Sequence, residues 1–252
     1  WWTGTIAAAC WDRVLPHALC WPVDADTPTQ WADADIGRPL CLSVVIREQE
    51  IHGRYVRLSA YLDRTWTSWW SRRWRWRSGR NDDDDEALWS HVQGEWVLCE
   101  NVERAARIAT ARDWSALERI MSRADAKAYL ASLQDGARPL ALSDKDTDIL
   151  LTHLVRDARA IQHDGDVYKW GTARVTEQDR GILAVKGLHA QLERQVDAWQ
   201  ARMERAQTTV RRALRAKERE AVTLSYLRTQ KQLESMVDKR VLALEKVHTL
   251  LL

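Results

Sequence analysis

Hydrophobic residues return at helical spacing along the last third of the chain, Val175 to Leu252. Val185, Leu188, Leu192, Val196, Trp199, Met203, Ala206, Val210 and Leu214 follow one another in steps of three or four. The spacing predicts one long helix with an apolar stripe. No proline interrupts it, and its two glycines, Gly181 and Gly187, lie near its start. Thr176, followed by Glu177 and Asp179, supplies an N-cap and first-turn acids. A second stripe runs through Leu224, Leu227, Val237, Val241, Leu244 and Leu251, interrupted by Gln230 and Lys231. Between the stripes, Arg215-Ala216-Lys217-Glu218 holds no apolar residue larger than alanine and is the expected turn. A first helix of about 38 residues spans roughly 57 Å, well beyond an ordinary globular helix. Two such stripes either close on each other as an antiparallel hairpin or pack on another chain. The expected packing residues are Leu188, Leu192, Val196, Trp199, Met203, Leu227, Val237, Val241 and Leu244.

Upstream the expected elements are shorter. Residues 1–64 read as a small α/β unit, with a loop over Asp24–Thr29 marked by Pro22 and Pro28, a helix over Leu40–Ile51, a His52-Gly53 turn and a strand at Tyr55–Leu58. Helix, glycine turn and strand form the end of a winged helix. Residues 87–173 predict helices over Asn101–Ala111, Trp114–Leu133 and Ser143–Ala160, the last with Ser143 as N-cap. A turn at Gln162–Asp166 then leads into a strand at Val167–Trp170, again a winged-helix pattern, and Gly171-Thr172-Ala173 links to the long helix. The expected fold is mainly α with small β-wings: a partial winged helix (1–64), a second one (87–173) and a helical hairpin (174–252).

Between the two expected domains, residues 65–86 interleave Trp66, Trp69, Trp70, Trp74 and Trp76 with Arg72, Arg73, Arg75, Arg77 and Arg80, and then run into the acids Asp82–Glu86. The acidic run favours a solvated loop. The aromatic-basic piece fits a membrane surface, a nucleic acid or a connector whose tryptophans pack on a domain. If helical, it places Trp66, Trp69, Trp70 and Trp74 on one side.

Charge sharpens this picture. The net charge of the chain is +2, yet from Arg174 onward there are 16 Lys and Arg against 10 Asp and Glu, and 22 against 26 before it. The helical end is therefore suited to an anionic partner, through Arg194, Arg202, Arg205, Arg211, Arg212 and Arg215. Cys10, Cys20, Cys41 and Cys99 are widely spaced, and read as buried reduced thiols of a cytosolic protein rather than as disulfides or a zinc site. No apolar run approaches the ~20 residues of a bilayer span. The chain does not begin with methionine, which reads as a fragment. It has 15 tryptophans and no phenylalanine, so tryptophan fills positions where phenylalanine is usual.

No catalytic constellation is present: there is no Walker lysine motif, G-x-G-x-x-G, G-x-S-x-G or H-E-x-x-H. The seven histidines are scattered, and His153 reads as a structural helix residue without a partner at i±4. No cofactor or metal is implied. The two candidate recognition helices suit phosphate poorly. Ser143–Ala160 opens with Asp144, Asp146 and Asp148, and Leu42–Ile51 is near neutral. A winged-helix nucleic-acid-binding protein with a coiled-coil oligomerisation tail is the alternative reading.

The stretch "VTEQDRGILAVKGLHAQLERQVDAWQARMERAQTTVRRALRAKEREAVTLSYLRTQKQLESMVDKRVLALEKV" resembles the first two helices of the ESCRT-III (Snf-seven) membrane-remodelling core, in the form of its divergent nuclear-envelope member. "VTEQD.GIL", "RRALRAKERE" and "A..L.YLR..K.LE" carry the likeness by order and spacing over about 75 residues. "RPLCLSVVIREQEIHGRYVRLSAYL" is similar to the end of the family's first winged helix. The resemblance implies a non-enzymatic scaffold, peripheral on endoplasmic reticulum, nuclear envelope and endosomes, that binds anionic membrane and self-associates. Its implied partners are other ESCRT-III subunits, a LEM-domain inner nuclear membrane protein and, through a region beyond the hairpin, an AAA ATPase of the Vps-four type. It also implies an aromatic membrane-binding segment where Trp66–Arg77 stands, although the arginines depart from the family's more apolar pattern.

Overall fold

The computed structural model describes residues 2–15, 18–32, 39, 41–63, 85–217 and 219–251. It is mainly helical with small antiparallel sheets, and it divides into two compact units, Trp1–Arg174 and Val175–Leu252.

In the first unit, α1 (Trp2–Trp11), β1 (Cys20–Val23), α2 (Thr27–Gln30), α3 (Leu42–Ile51), β2 (Tyr55–Arg57) and α4 (Leu58–Leu62) precede α5 (Asp85–Val92) and β3 (Gly94–Leu98). The central strand of the first sheet is β3. It pairs antiparallel with β1, Trp96 opposite Trp21, and with β2, Leu98 opposite Tyr55. The strand that completes this sheet therefore comes from after residue 86, so the expected boundary between residues 1–64 and 87–173 does not separate two domains. One apolar core crosses that boundary as well, joining Leu19, Cys20 and Val56 to Val102, Leu130, Ile149 and Ile161.

The rest of the unit comprises α6 (Cys99–Thr110), β4 (Ile120–Ser122), α7 (Arg123–Ala131), β5 (Gln134–Asp135), β6 (Arg138–Pro139), α8 (Asp144–Thr152), a π-helical turn (His153–Asp157), β7 (Ile161–Asp164) and β8 (Val167–Trp170). The helix expected over Trp114–Leu133 is broken. Ile120 and Met121 enter a strand beside Tyr168 and Lys169, and Ser122 then starts a new helix by a capping box with Asp125. The expected helix to Ala160 likewise stops at Thr152 and passes into the π turn. Gly165, at φ +60°, makes the tight β7–β8 turn.

Two buried polar side chains tie the halves together. Asn101 donates to the carbonyls of Ala7 (2.9 Å) and Ala18 (2.6 Å). Asp146, fully buried, caps α8 through Ser143 and accepts from the Leu19 amide at 3.3 Å.

The second unit is the expected hairpin: α9 (Glu177–Arg215) and α10 (Glu220–Thr249). Thr176 starts α9 with a capping box to Asp179. The helix ends at Arg215, and Lys217 turns the chain at φ +49°. His189 faces His248 at 5.5 Å, and Trp199 meets Arg240 at 4.8 Å, a pairing that fixes the antiparallel direction.

Candidate functional site

The seam of the hairpin keeps a strict heptad on both helices. On α9, Ile182, His189, Val196, Met203 and Val210 recur every seventh residue, with Val185, Leu192, Trp199, Ala206 and Ala213 between them, and all are buried or half-buried. On α10 the matching rows are Thr223, Gln230, Val237 and Leu244, continued by Leu251 just past the helix, and Tyr226, Leu233, Arg240 and Val247. Seven expected packing residues (Leu192, Val196, Trp199, Met203, Val237, Val241 and Leu244) lie in this seam or on its margin. Leu188 and Leu227 do not. Leu188 is 47% exposed and Leu227 40%, because each sits one residue off the heptad. His189 and Tyr226 hold the inward positions instead. Steps of three or four alone admit the aliphatic residue of each pair, whereas a strict alternation of three and four from Ile182 and from Thr223 selects the other.

Arg202 and Arg240 both stack on Trp199, each guanidinium 4.8 Å from the ring centroid. Arg240 is a seam residue whose Nε is buried without a hydrogen-bond partner among the described residues.

The expected basic surface does not form one face. With the seam as reference, Arg202, Arg205 and Arg212 lie on one broad side of the two-helix layer, and Arg211 lies on the other. Arg194 and Arg215 lie on the outer edge of α9. All six are exposed. Lys239 and Lys246 of α10 join the first group, and reading α9 alone could not place them. The aromatic-basic residues Trp66, Trp69, Trp70, Arg72, Arg73, Trp74, Arg75, Trp76 and Arg77 lie outside the described residues.

The first unit holds a polar cluster that the sequence reading missed. The π turn brings His153, Arg156 and Asp157 together against Tyr61 at the end of α4. His153 Nδ1 lies 3.4 Å from Asp157, so it does have a partner one turn away. Arg156 donates to Asp157 at 2.9 Å, donates to the Tyr61 carbonyl at 2.6 Å, and covers the Tyr61 ring. Burial by itself would raise the Asp157 pKa, but hydrogen bonds from His153 and Arg156, with their charge, hold it down at about 2. Cys99 lines the same small cavity, of about 30 Å³. Burial, followed by the nearby Glu103 and Asp157, pushes its pKa up to about 12, so it is a thiol rather than a nucleophilic thiolate. Cys10 and Cys20 are buried thiols, also raised to about 12 by burial. Cys41, at the start of α3, is exposed, contrary to expectation.

The acids of α8 are partly spoken for. Asp146 is buried in its cap, Asp148 pairs with Arg123 and Lys127, and the solvent-exposed Asp144 meets Lys127 at 3.4 Å.

Comparison with family models, curated proteins and solved structures finds no match to this chain. Its function therefore has to be read from its own surfaces. These offer a long hairpin whose seam uses only part of its apolar surface, and on which Arg202, Arg205, Arg212, Lys239 and Lys246 are exposed.

Proposed function

We propose that the chain is a non-enzymatic membrane-remodelling scaffold of the ESCRT-III type, in the form of the family's nuclear-envelope member. The observation that carries this reading is the hairpin. Its helices of 39 and 30 residues are joined by a single tight turn, and they leave Leu188, Leu214, Leu227 and Leu242 exposed. Apolar side chains left open along a rigid rod are suited to chain-to-chain packing. The two small three-stranded sheets with their flanking helices support the winged-helix reading of the first unit. No helix among the described residues is long and apolar enough to cross a membrane, so attachment through a surface is the mode proposed.

The stretch Trp66–Arg77 is the membrane-binding element in this proposal. Tryptophan favours the bilayer interface, and each arginine near an anionic surface contributes about 1 kcal/mol. The proposed partners are anionic membrane, further copies, other ESCRT-III subunits and a LEM-domain protein of the inner nuclear membrane. An ATPase of the Vps-four type would act through a region beyond the hairpin. The site of action would be the cytoplasmic face of the endoplasmic reticulum and nuclear envelope, and of endosomes.

Flotation with anionic liposomes, followed by electron microscopy for filaments, tests the proposal. Trp69→Asp/Trp70→Asp, and Glu at Arg72, Arg73, Arg75 and Arg77, should each lower liposome binding about tenfold or more, and salt should weaken what remains. Unchanged binding by both variants overturns the membrane element. A gel shift on duplex DNA without flotation would instead favour the nucleic-acid reading.

A further inference from the structure

The hairpin sorts its charges by face. With the heptad seam between the helices, the remaining positions fall on two opposite broad faces and two outer edges. One face carries Arg202, Arg205 and Arg212 from α9 with Lys239 and Lys246 from α10. Among these cations sit the exposed apolar residues Leu188, Val222, Met236 and Leu250. Among the described residues from Gly181 to Leu250, this face holds no acidic one. The opposite face carries Glu193, Asp197 and Glu204 from α9, and Glu220, Glu234, Asp238 and Glu245 from α10. Its bases are Lys186, Arg211 and Lys231. None of the five cations on the first face is paired with a carboxylate among the described residues.

We propose that the occupant of the cationic face is the acidic face of a second copy of this hairpin. A two-fold pairing would set like faces against each other, cation on cation or acid on acid. Seating the cationic face of one copy on the acidic face of the next matches both charges, and it leaves one free face of each kind at either end. Such a contact is head-to-tail and open-ended, the geometry that produces filaments rather than closed dimers. Each face is about 40 Å long and roughly 20 Å wide, on the order of 800 Å², which is what a standard interface takes from each partner. The apolar residues supply contact area, and the charges select the face and the direction. This inference rests on the reading of the chain as an assembling scaffold and assigns the surfaces that would do it.

Two charge-reversed versions of the full chain test it. One carries Arg205→Glu, Lys239→Glu and Lys246→Glu; the other carries Glu234→Lys, Asp238→Lys and Glu245→Lys. Self-association is followed by light scattering and sedimentation at low salt, with circular dichroism to check helicity. Each version alone should need about 100-fold more protein to associate, or more, because like charges then face each other. An equimolar mixture should associate like the parent, since one version has two acidic faces and the other two cationic ones. Misfolded proteins would not show that rescue. If the parent associates and either version alone still does so equally, or the mixture stays dispersed, the face assignment is overturned while the scaffold reading stands. If the cationic-face version loses only liposome binding, the face serves lipid and the assignment is likewise overturned. A parent that never associates overturns both.

Discussion

The two units bury their apolar residues in opposite ways. In Trp1–Arg174 the chain fills a volume: Trp21, Trp96, Ile6, Leu19, Ile46, Leu98 and Ile149 are almost wholly enclosed in two apolar clusters, one of which joins Trp11 near the start of the unit to Ile149 and Trp170 near its end. In Val175–Leu252 it fills a line. Among the described residues the buried apolar ones there are Val196, Val210, Ala213 and Val237, and the rest of the seam is half open. A volume-filling unit leaves little apolar surface for partners, because its side chains satisfy one another. A line-filling unit has two broad faces left over. The hairpin accordingly leaves eight of its large apolar side chains exposed, against four among the described residues of the first unit.

The largest expected effect breaks the first unit alone. Trp96→Ala removes a fully buried indole and its bond to the Val92 carbonyl at 2.8 Å, which should cost about 3–5 kcal/mol. Differential scanning calorimetry should show one transition falling sharply while the hairpin's own transition stays in place. A joint shift of both transitions would mean that the units unfold as one.

Acid should separate the units next. The Asp157 pKa is held below its unfolded value, so the stability it contributes is present above about pH 4 and is lost as the pH falls towards 2. The loss should be on the order of 2 kcal/mol in the first unit. Asp157→Asn should remove that pH dependence, as read by thermal melts between pH 5 and pH 2. A hairpin transition that shifts equally would argue against this assignment.

A comparison within the first unit is finer. Trp21 and Trp96 stand opposite each other and are both fully enclosed, but the Nε1 of Trp21 has no hydrogen-bond partner among the described residues. The same holds for Trp31 and Trp114. Indole N–H groups buried without acceptors are what a chain that uses tryptophan in place of phenylalanine would produce. Trp96→Phe should therefore cost about 1–2 kcal/mol more than Trp21→Phe in urea melts, since only the former strands a carbonyl. Equal costs would remove hydrogen bonding as the distinction.

What the sequence made legible follows the same division. The hairpin, its Thr176 cap and its turn at Arg215 were readable because a period repeated many times outweighs any single residue. The Ser143 cap and the Val167–Trp170 strand were readable from strong local signals. The sheet around β3 was not, because its strands pair across more than thirty residues of intervening chain, and no local pattern reports such a pairing. The break at Ile120-Met121 was hidden because two apolar residues in a row fit a helix face as well as a strand. The Tyr61–Arg156 cluster depends on a π turn that shifts side chains by one position, a change invisible to spacing rules. The sorting of charge by face was latent in the sequence, but it emerges only once the seam is known to the residue.

The smallest expected effect tests that seam. Spacing by size puts Leu227 inside the hairpin, whereas the structure leaves it 40% exposed and turns Tyr226 inward. Val237, by contrast, is 7% exposed and lies on the heptad. An aspartate at Val237 would bury a charge between two apolar rows and should unwind the middle of the hairpin. Leu227→Asp should cost about 0.5 kcal/mol or less, the usual range for a surface change. The hairpin transition, followed by circular dichroism at 222 nm, reads both variants directly. The charge reversals proposed for α10 were chosen by the same numbering, so a shift that brought Leu227 inside would put Glu234, Asp238 and Glu245 into the seam and move Lys239 and Lys246 to the opposite face. A large loss at Leu227 with little at Val237 would therefore mean that the register is displaced by one, and the assignment of cationic and acidic faces would have to be redrawn with it.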